Sequence, residues 1–106
     1  MDKKEDERVN DFIAKVKKKY SPELILLFGS RAGGEVWKHS DYDFIIVSSK
    51  FRGMHWLDRI SEIVGMWEPM IDIDVLPYTP EEFEEKKRNS SVVRKALREG
   101  RKIVAA

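Results

Sequence analysis

Residues 24–47 read LILLFGSRAGGEVWKHSDYDFIIV, two short apolar runs separated by a stretch of mostly small and polar residues. Residues 24–28 and residues 42–47 have the nearly unbroken apolar pattern of strands that are buried on both faces. Gly29 ends the first run, and Gly33-Gly34 disfavours a long regular element between the two runs. The stretch therefore predicts two neighbouring strands of a central sheet.

Helices are predicted on both sides of these strands. Residues 3–20 and residues 55–67 repeat apolar side chains at spacings of three and four, the period of an amphipathic helix. Residues 79–82, Thr-Pro-Glu-Glu, combine a capping threonine, a proline in the first turn and a capping-box glutamate. A third helix is therefore predicted to start there.

The remaining predicted elements are a strand and a last helix. Residues 70–76 predict a third strand that ends before Pro77. The last helix begins near Ser90 or Ser91, and its apolar positions reach Ile103 and Val104, with Gly100 as a weak point or a stop. The predicted order α, β, β, α, β, α, α gives an α/β (α+β) fold with a small mixed central sheet flanked by helices.

Length and composition limit the class of protein. The chain has 106 residues, which predicts one domain spanning residues 1–106. The 20 basic and 19 acidic residues leave a net charge of +1, so we expect no general attraction to nucleic acid or membranes. There is no cysteine, no signal peptide and no apolar run near the ~20 residues of a membrane span. The expected location is the cytoplasm.

Acidic residues stand at the predicted start of the second strand. Only ten residues separate Ser30 from Asp41, fewer than a helical crossover between parallel strands needs. We therefore predict an antiparallel pair, which places Gly29-Ser30 beside Asp41. Alternate strand residues share a face, so Asp41 and Asp43 project together while Tyr42 packs on the other side.

Two carboxylates on one face repel each other unless a cation lies between them. Oxygen ligands without His or Cys favour Mg²⁺ or Mn²⁺. A third carboxylate, from Asp72 or Asp74 in the third strand, would allow two ions about 3.5–4 Å apart, a spacing that suits phosphoryl and nucleotidyl transfer. The residues alone do not decide whether Asp72 or Asp74 is the third carboxylate, because both lie on the same face of the predicted strand.

The loop after the first strand offers groups for phosphate. Gly29 lets the backbone approach closely because it has no Cβ. Ser30 supplies a hydroxyl and a backbone N–H, and Arg31 or Lys38 would neutralise phosphate charge. Each motif alone is also compatible with an ordinary turn. His39 and His55 are predicted to lie at the surface without a catalytic role. For Trp56 and Trp67, the sequence is compatible either with core packing or with a surface for a protein partner.

The combination Gly29-Ser30, ten residues, Asp41-Tyr42-Asp43 resembles the nucleotidyltransferase signature of the DNA polymerase β superfamily. Over about residues 9–104, the chain is similar to the smallest members, the minimal nucleotidyltransferases. One departure is Gly33, where the commoner motif carries a second arginine. The resemblance implies the polymerase β-like nucleotidyltransferase fold.

The resemblance also implies the site. Two Mg²⁺ ions would be bound by the catalytic carboxylates, and ATP by the loop after the first strand. Asp74 is preferred to Asp72 because it precedes Val-Leu-Pro-Tyr as in the related proteins. The implied metal ligands are Asp41, Asp43 and Asp74, and the implied nucleotide-binding residues are Gly29, Ser30 and Arg31.

Minimal nucleotidyltransferases often pair with a separate HEPN protein, a toxin, and act as its antitoxin. The resemblance therefore implies transfer of AMP from ATP to a protein hydroxyl, a tyrosine of a HEPN-like partner. Two alternatives stay open. The chain could neutralise its partner by contact without catalysis, or it could modify a small molecule such as an aminoglycoside. Because 106 residues leave little room for acceptor recognition, a partner subunit or a homo-oligomer is expected to supply it.

Overall fold

The computed structural model of the protein describes residues 3–29, 42–68 and 72–105, with side chains from residue 7 onward. A short 3₁₀ turn follows the second strand at Ser49–Phe51. The helices and strands are α1 (Lys3–Tyr20), β1 (Leu24–Phe28), β2 (Tyr42–Val47), α2 (Trp56–Val64), β3 (Ile73–Tyr78), α3 (Pro80–Asn89), α4 (Ser91–Glu99) and β4 (Arg101–Ala105).

The four strands form one mixed sheet in the order β3-β2-β1-β4. β1 is antiparallel to both β2 and β4, which confirms the predicted antiparallel pairing of the first two strands. β2 and β3 are parallel and are connected through α2, since a parallel pair needs a crossover segment. The predicted mixed sheet flanked by helices is therefore confirmed.

The two faces of the sheet have separate cores. On the face that we call the α1 face, Tyr42, Phe44 and Ile46 pack against α1 side chains such as Phe12 and Val16. On the opposite face, the α4 face, the core consists of strand residues together with buried side chains of α3 and α4. Its members are Leu24, Leu26, Ile45, Val47, Tyr78, Phe83, Val93 and Ala96. The predicted burial of Tyr42 opposite the acidic face is confirmed, since this side chain is 1% exposed.

The predicted end of the third strand is wrong. Pro77 was expected to stop it, yet β3 includes Pro77 and continues to Tyr78. β3 lies at the edge of the sheet, where a missing backbone N–H costs no ladder hydrogen bond. The Pro77 carbonyl accepts a hydrogen bond from Arg59 Nη1 at 3.1 Å, so this carbonyl also has a partner.

The C-terminal prediction is wrong in one part, while the helix start near Ser91 and the stop at Gly100 are confirmed. Ile103 and Val104 were assigned to a last helix, but α4 ends at Glu99 and both residues lie in β4, packed against the α1-face core. Gly100 is extended (φ −79°, ψ 167°), and its N–H donates to the Ala96 carbonyl at 2.7 Å. A Cβ on Gly100 would lie 2.9 Å from the Leu27 carbonyl oxygen. Glycine thus allows the helix end to pack directly on β1 and the chain to turn into a strand.

The two described tryptophans are packing residues. Trp67 makes an edge contact with Phe12 at a ring-centroid distance of 4.9 Å and another with Tyr42 at 5.1 Å. Trp56 packs against Tyr78 at 5.4 Å. Both are half-buried, so core packing accounts for these contacts. α2 itself is shorter than predicted and ends at Val64.

A buried arginine joins α2, β3 and α3. Arg59 is 5% exposed, and its guanidinium donates to the Met54 carbonyl, the Pro77 carbonyl and the Glu82 carboxylate. Glu82 also accepts from the Thr79 backbone N–H at 2.8 Å, which completes the predicted capping box. Partial burial alone would raise the pKa of Glu82. The hydrogen bonds from Arg59 and from Thr79 outweigh burial, so this pKa lies below its ordinary value.

Replacing Arg59 by leucine is expected to lower the free energy of unfolding by about 2–4 kcal/mol, because buried carbonyl oxygens and Glu82 lose their partner. Arg52→Leu is the matched control, because Arg52 forms a bidentate ion pair with Glu81 at the exposed surface. Loss of this exposed pair should change the free energy of unfolding little. Urea denaturation of both variants measures the difference. Equal losses would contradict the assigned role of Arg59.

Candidate active site

Three strand ends meet at one edge of the sheet. β1 finishes there at Phe28, while β2 and β3 both begin there, because β2 is antiparallel to β1 and parallel to β3. The Cα partner of Phe28 is Asp43, and the Cα partner of Asp43 on the other side is Asp74. The fold therefore brings Gly29, Asp43 and Asp74 together from segments that are far apart in the sequence.

Asp43 and Asp74 form a carboxylate pair on neighbouring strands. Directly paired residues point to the same face of a sheet, with backbones about 4.8 Å apart. Phe44 and Val75, the next pair along, pack in the α1-face core, so both aspartates project from the α4 face. Asp43 is half-buried and Asp74 is exposed. Like charges on directly paired residues repel each other, and a cation between them would relieve that repulsion.

Gly29 is fitted to the Asp43 carboxylate. Its φ of +77° lies in the left-handed region, where glycine carries no steric cost. A Cβ built on Gly29 would lie 2.3 Å from Asp43 Oδ2. Any other residue would therefore have to push the carboxylate away. Sequence reasoning gave this glycine a role in approaching phosphate, and the structure adds that its missing side chain makes room for Asp43.

Asp72 and Asp74 are distinguished by their positions. Asp72 precedes β3, and its backbone carbonyl accepts a hydrogen bond from the Tyr42 N–H at 3.0 Å. Asp74 lies within the strand, directly opposite Asp43. This arrangement supports the preference for Asp74, although both side chains are exposed.

The other predicted site residues lie outside the described residues. These are Ser30, Arg31, Lys38, His39 and Asp41. Within residues 7–29, 42–68 and 72–105, no group of three acidic or histidine side chains is close enough to hold a metal ion. The described part of the site is thus a pair of aspartates. An all-oxygen donor set of this kind fits Mg²⁺ or Mn²⁺.

His55 is exposed, as predicted, and its Nδ1 accepts from the Leu57 N–H at the start of α2.

A concave surface that sequence reasoning missed lies further along β3. It has a volume of about 340 Å³ and is lined by Trp56, Tyr78, Glu82, Glu85 and Lys86. Tyr78 and Asp74 are four residues apart on the same face of β3, a distance of roughly 13 Å. Burial and the nearby Glu82 raise the pKa of Tyr78, which keeps its hydroxyl protonated. The cleft depends on the contact between residues 56 and 78. Because these residues are far apart in the sequence, the spacing of residues could not have predicted it.

The sequence profile Polbeta, described as polymerase beta, nucleotidyltransferase, matches residues 10–105. This match covers most of the 106 residues and includes the strand ends that carry Gly29, Asp43 and Asp74. The chain therefore belongs to the polymerase beta nucleotidyltransferase family, and the match supports nucleotidyl transfer in general. No curated protein matches the chain at a significant level.

Comparison with solved structures supports the same fold. A candidate nucleotidyltransferase from Sulfolobus solfataricus superposes with a TM-score of 0.60 at 20% sequence identity, over 77% of this chain and 73% of that chain. BolA1 from Arabidopsis thaliana superposes with a TM-score of 0.55 at 21% identity, over 71% of this chain and 94% of that chain. Two proteins with different names are about equally similar, so this likeness shows the fold alone. The described part of the chain contains no helix that is both long and apolar enough to span a membrane.

Replacing Gly29 by alanine is expected to displace the Asp43 carboxylate and to lower the affinity for Mn²⁺, measured by isothermal titration calorimetry. The matched control is Gly53→Ala. Gly53 has a similar φ of +81°, but a Cβ there would meet nothing within 4 Å. Both variants should lose about 1–2 kcal/mol of stability from the positive φ. If Gly29→Ala binds Mn²⁺ as tightly as Gly53→Ala does, the steric role of Gly29 is wrong.

Asp74→Asn is expected to weaken Mn²⁺ binding roughly tenfold or more, because it removes one of the charged ligands that set cation affinity. Asp72→Asn makes the same chemical change two residues earlier and serves as the control. The same calorimetric titration compares them. A larger loss in Asp72→Asn would identify Asp72 as the third carboxylate instead.

Proposed function

We propose that this protein is a Mg²⁺-dependent nucleotidyltransferase that transfers AMP from ATP to an acceptor hydroxyl. The observation that carries the proposal is the Asp43–Asp74 pair, held in register at the edge of the sheet where β1 ends at Gly29. The family match supports the general reaction. Members of this family generally use a divalent metal and a nucleoside triphosphate.

Each residue of the proposed site has a separate task. Asp43 and Asp74, together with Asp41, would hold the divalent cations. When bound there, the cations would neutralise phosphate charge and lower the pKa of the attacking hydroxyl. Gly29 leaves the space that the Asp43 carboxylate occupies, and its lack of a Cβ would let phosphate approach the backbone. Ser30 and Arg31 would donate hydrogen bonds to the phosphate oxygens. Tyr42 and Phe44 anchor β2 in the core, so that Asp43 keeps its direction.

We propose that the acceptor is the hydroxyl group of a tyrosine in a HEPN-like toxin. Transfer of AMP to this tyrosine would make the protein an antitoxin. The resemblance to minimal nucleotidyltransferases is the main support. A further support is a small apolar stripe on α2. Leu57 and Val64 lie two helical turns apart and are 64% and 39% exposed. Large exposed apolar side chains on one helix face suit contact with a protein partner.

The test is incubation of the purified protein with a HEPN-like partner, Mg²⁺ and α-labelled ATP, followed by gel electrophoresis. We expect α label on the partner and none from γ-labelled ATP, because the AMP moiety moves while pyrophosphate leaves. Asp43→Asn should lower labelling by at least about 100-fold, since the charged ligand that orients the reacting phosphate is lost.

The control is Asp58→Asn, which removes an exposed carboxylate from the first turn of α2, away from the strand ends. It should label the partner as wild type does. Equal labelling by Asp43→Asn and wild type would refute the catalytic role of the pair. An Asp43→Asn variant that still neutralises the toxin, in the absence of labelling, would favour an antitoxin that acts by contact alone.

A further inference from the structure

The charges of this chain are strongly segregated. Residues 86–102 contain eight of the 20 basic residues but only one of the 19 acidic residues. This stretch therefore carries a charge of +7, and the remainder of the chain carries −6. The net charge of +1, which led us to expect no general attraction to nucleic acid, is the sum of two opposite regions.

The basic residues lie on the second half of α3, on α4 and at the start of β4, which follow one another directly in the chain. One of them, Lys86, lines the cleft together with Glu82 and Glu85. α4 packs onto the α4 face through Val93 and Ala96, while its charged side chains Arg94, Lys95 and Arg98 are exposed. Seven of the eight basic side chains are exposed and one is half-buried. We call this set the basic surface: Lys86, Lys87, Arg88, Arg94, Lys95, Arg98, Arg101 and Lys102.

Few of these charges are compensated within the protein. Lys87 pairs with Glu84 at 2.8 Å. For the other seven, the described residues provide no ion pair, and Arg94 donates only to the Arg88 carbonyl. By contrast, several basic residues elsewhere in the described part of the chain are paired with acidic ones, as Lys19 is with Glu62 and Arg59 is with Glu82. The basic surface thus keeps its positive field available to an external anion.

The basic surface reaches the candidate active site. Lys102 is the Cα partner of Leu26 in β1, and Phe28, two residues further on and on the same α4 face, is the Cα partner of Asp43. With strands about 4.8 Å apart and about 3.3 Å per residue along a strand, the backbones of Lys102 and Asp43 are roughly 12 Å from each other. Arg101 points to the α1 face, because its partner Leu27 lies in the α1-face core. The close packing of Gly100 on Leu27 holds the end of α4 at the same edge of the sheet.

The composition of the surface favours phosphate over other anions. Four of the eight residues are arginines, which bind phosphate oxygens bidentately. Val92, 54% exposed, is the large exposed hydrophobic residue on α4. A protein partner would require a more apolar interface core. A membrane surface would require a free apolar helix face, and the apolar face of α4 is used on the sheet.

We propose that the basic surface binds the phosphodiester backbone of a nucleic acid and guides it toward the edge of the sheet where Asp43 and Asp74 lie. This binding goes beyond the proposed function, because it requires neither ATP nor a divalent cation. It relies on phosphate contacts and therefore carries little base specificity.

The test is fluorescence anisotropy with labelled 20-nucleotide single-stranded RNA, single-stranded DNA and duplex DNA, in EDTA and at a series of salt concentrations. We expect binding that weakens steeply with salt. Lys95→Gln/Arg98→Gln should lower the affinity roughly tenfold and reduce the slope of log K against log salt by about 2, as two phosphate contacts are lost. The three probes show which nucleic acid is preferred.

The matched control is Lys17→Gln/Lys18→Gln, which removes two exposed charges from α1 on the other side of the sheet. This variant should bind as wild type does, and circular dichroism should show both variants folded. The proposal is overturned if no probe binds at low salt, if both variants lose affinity equally, or if polyglutamate of similar length competes as well as unlabelled RNA. None of these outcomes depends on nucleotidyl transfer.

Discussion

The antiparallel register of β1 on β2 is the constraint on which the rest of the structure depends. It pairs Leu27 with Phe44 and Phe28 with Asp43. A slip of one residue would turn every side chain of β2 to the opposite face. Phe44, which is fully buried, would leave its core, and Asp43 would enter it. Burial of the apolar residues therefore enforces the register, and the register in turn directs the carboxylate to the α4 face.

β3 depends on this arrangement and adds the second carboxylate. An edge strand is held by one neighbour only, so its position needs support from outside the ladder. Arg59 provides such support, because it binds the Pro77 carbonyl and the Glu82 carboxylate at the same time. The buried guanidinium thus fixes the end of β3 and the start of α3. The other end of the same short strand carries Asp74 beside Asp43, so the packing around Arg59 and the geometry of the candidate site are mechanically connected.

Sequence reasoning works here where a local pattern and its environment agree. The buried strands and the α3 capping box have residue patterns that suit one structure only, and they are confirmed. It fails where the outcome depends on the neighbouring element. Pro77 is compatible with a strand because β3 has a free edge. Ile103 and Val104 suit either a helix or a strand, and the exposed edge of β1 decides between them. For the site, the motifs indicated Asp41, Asp43 and either Asp72 or Asp74, but the register that distinguishes Asp74 from Asp72 is a tertiary property.

The segregated charges give this edge of the sheet two opposite requirements. The aspartate pair would repel the phosphates of a nucleotide unless a cation were bound, whereas Arg98 and Lys102, near the end of α4 and the start of β4, would attract them. At roughly 12 Å between the Lys102 and Asp43 backbones, the two sets of exposed charges lie beyond the Debye length of about 8 Å at physiological ionic strength, so salt screens much of their interaction. The basic surface would bring a phosphate close to the carboxylates, and a divalent cation would still be required for contact with them. Under these proposals, attraction of phosphate and dependence on a metal would be carried by different residues.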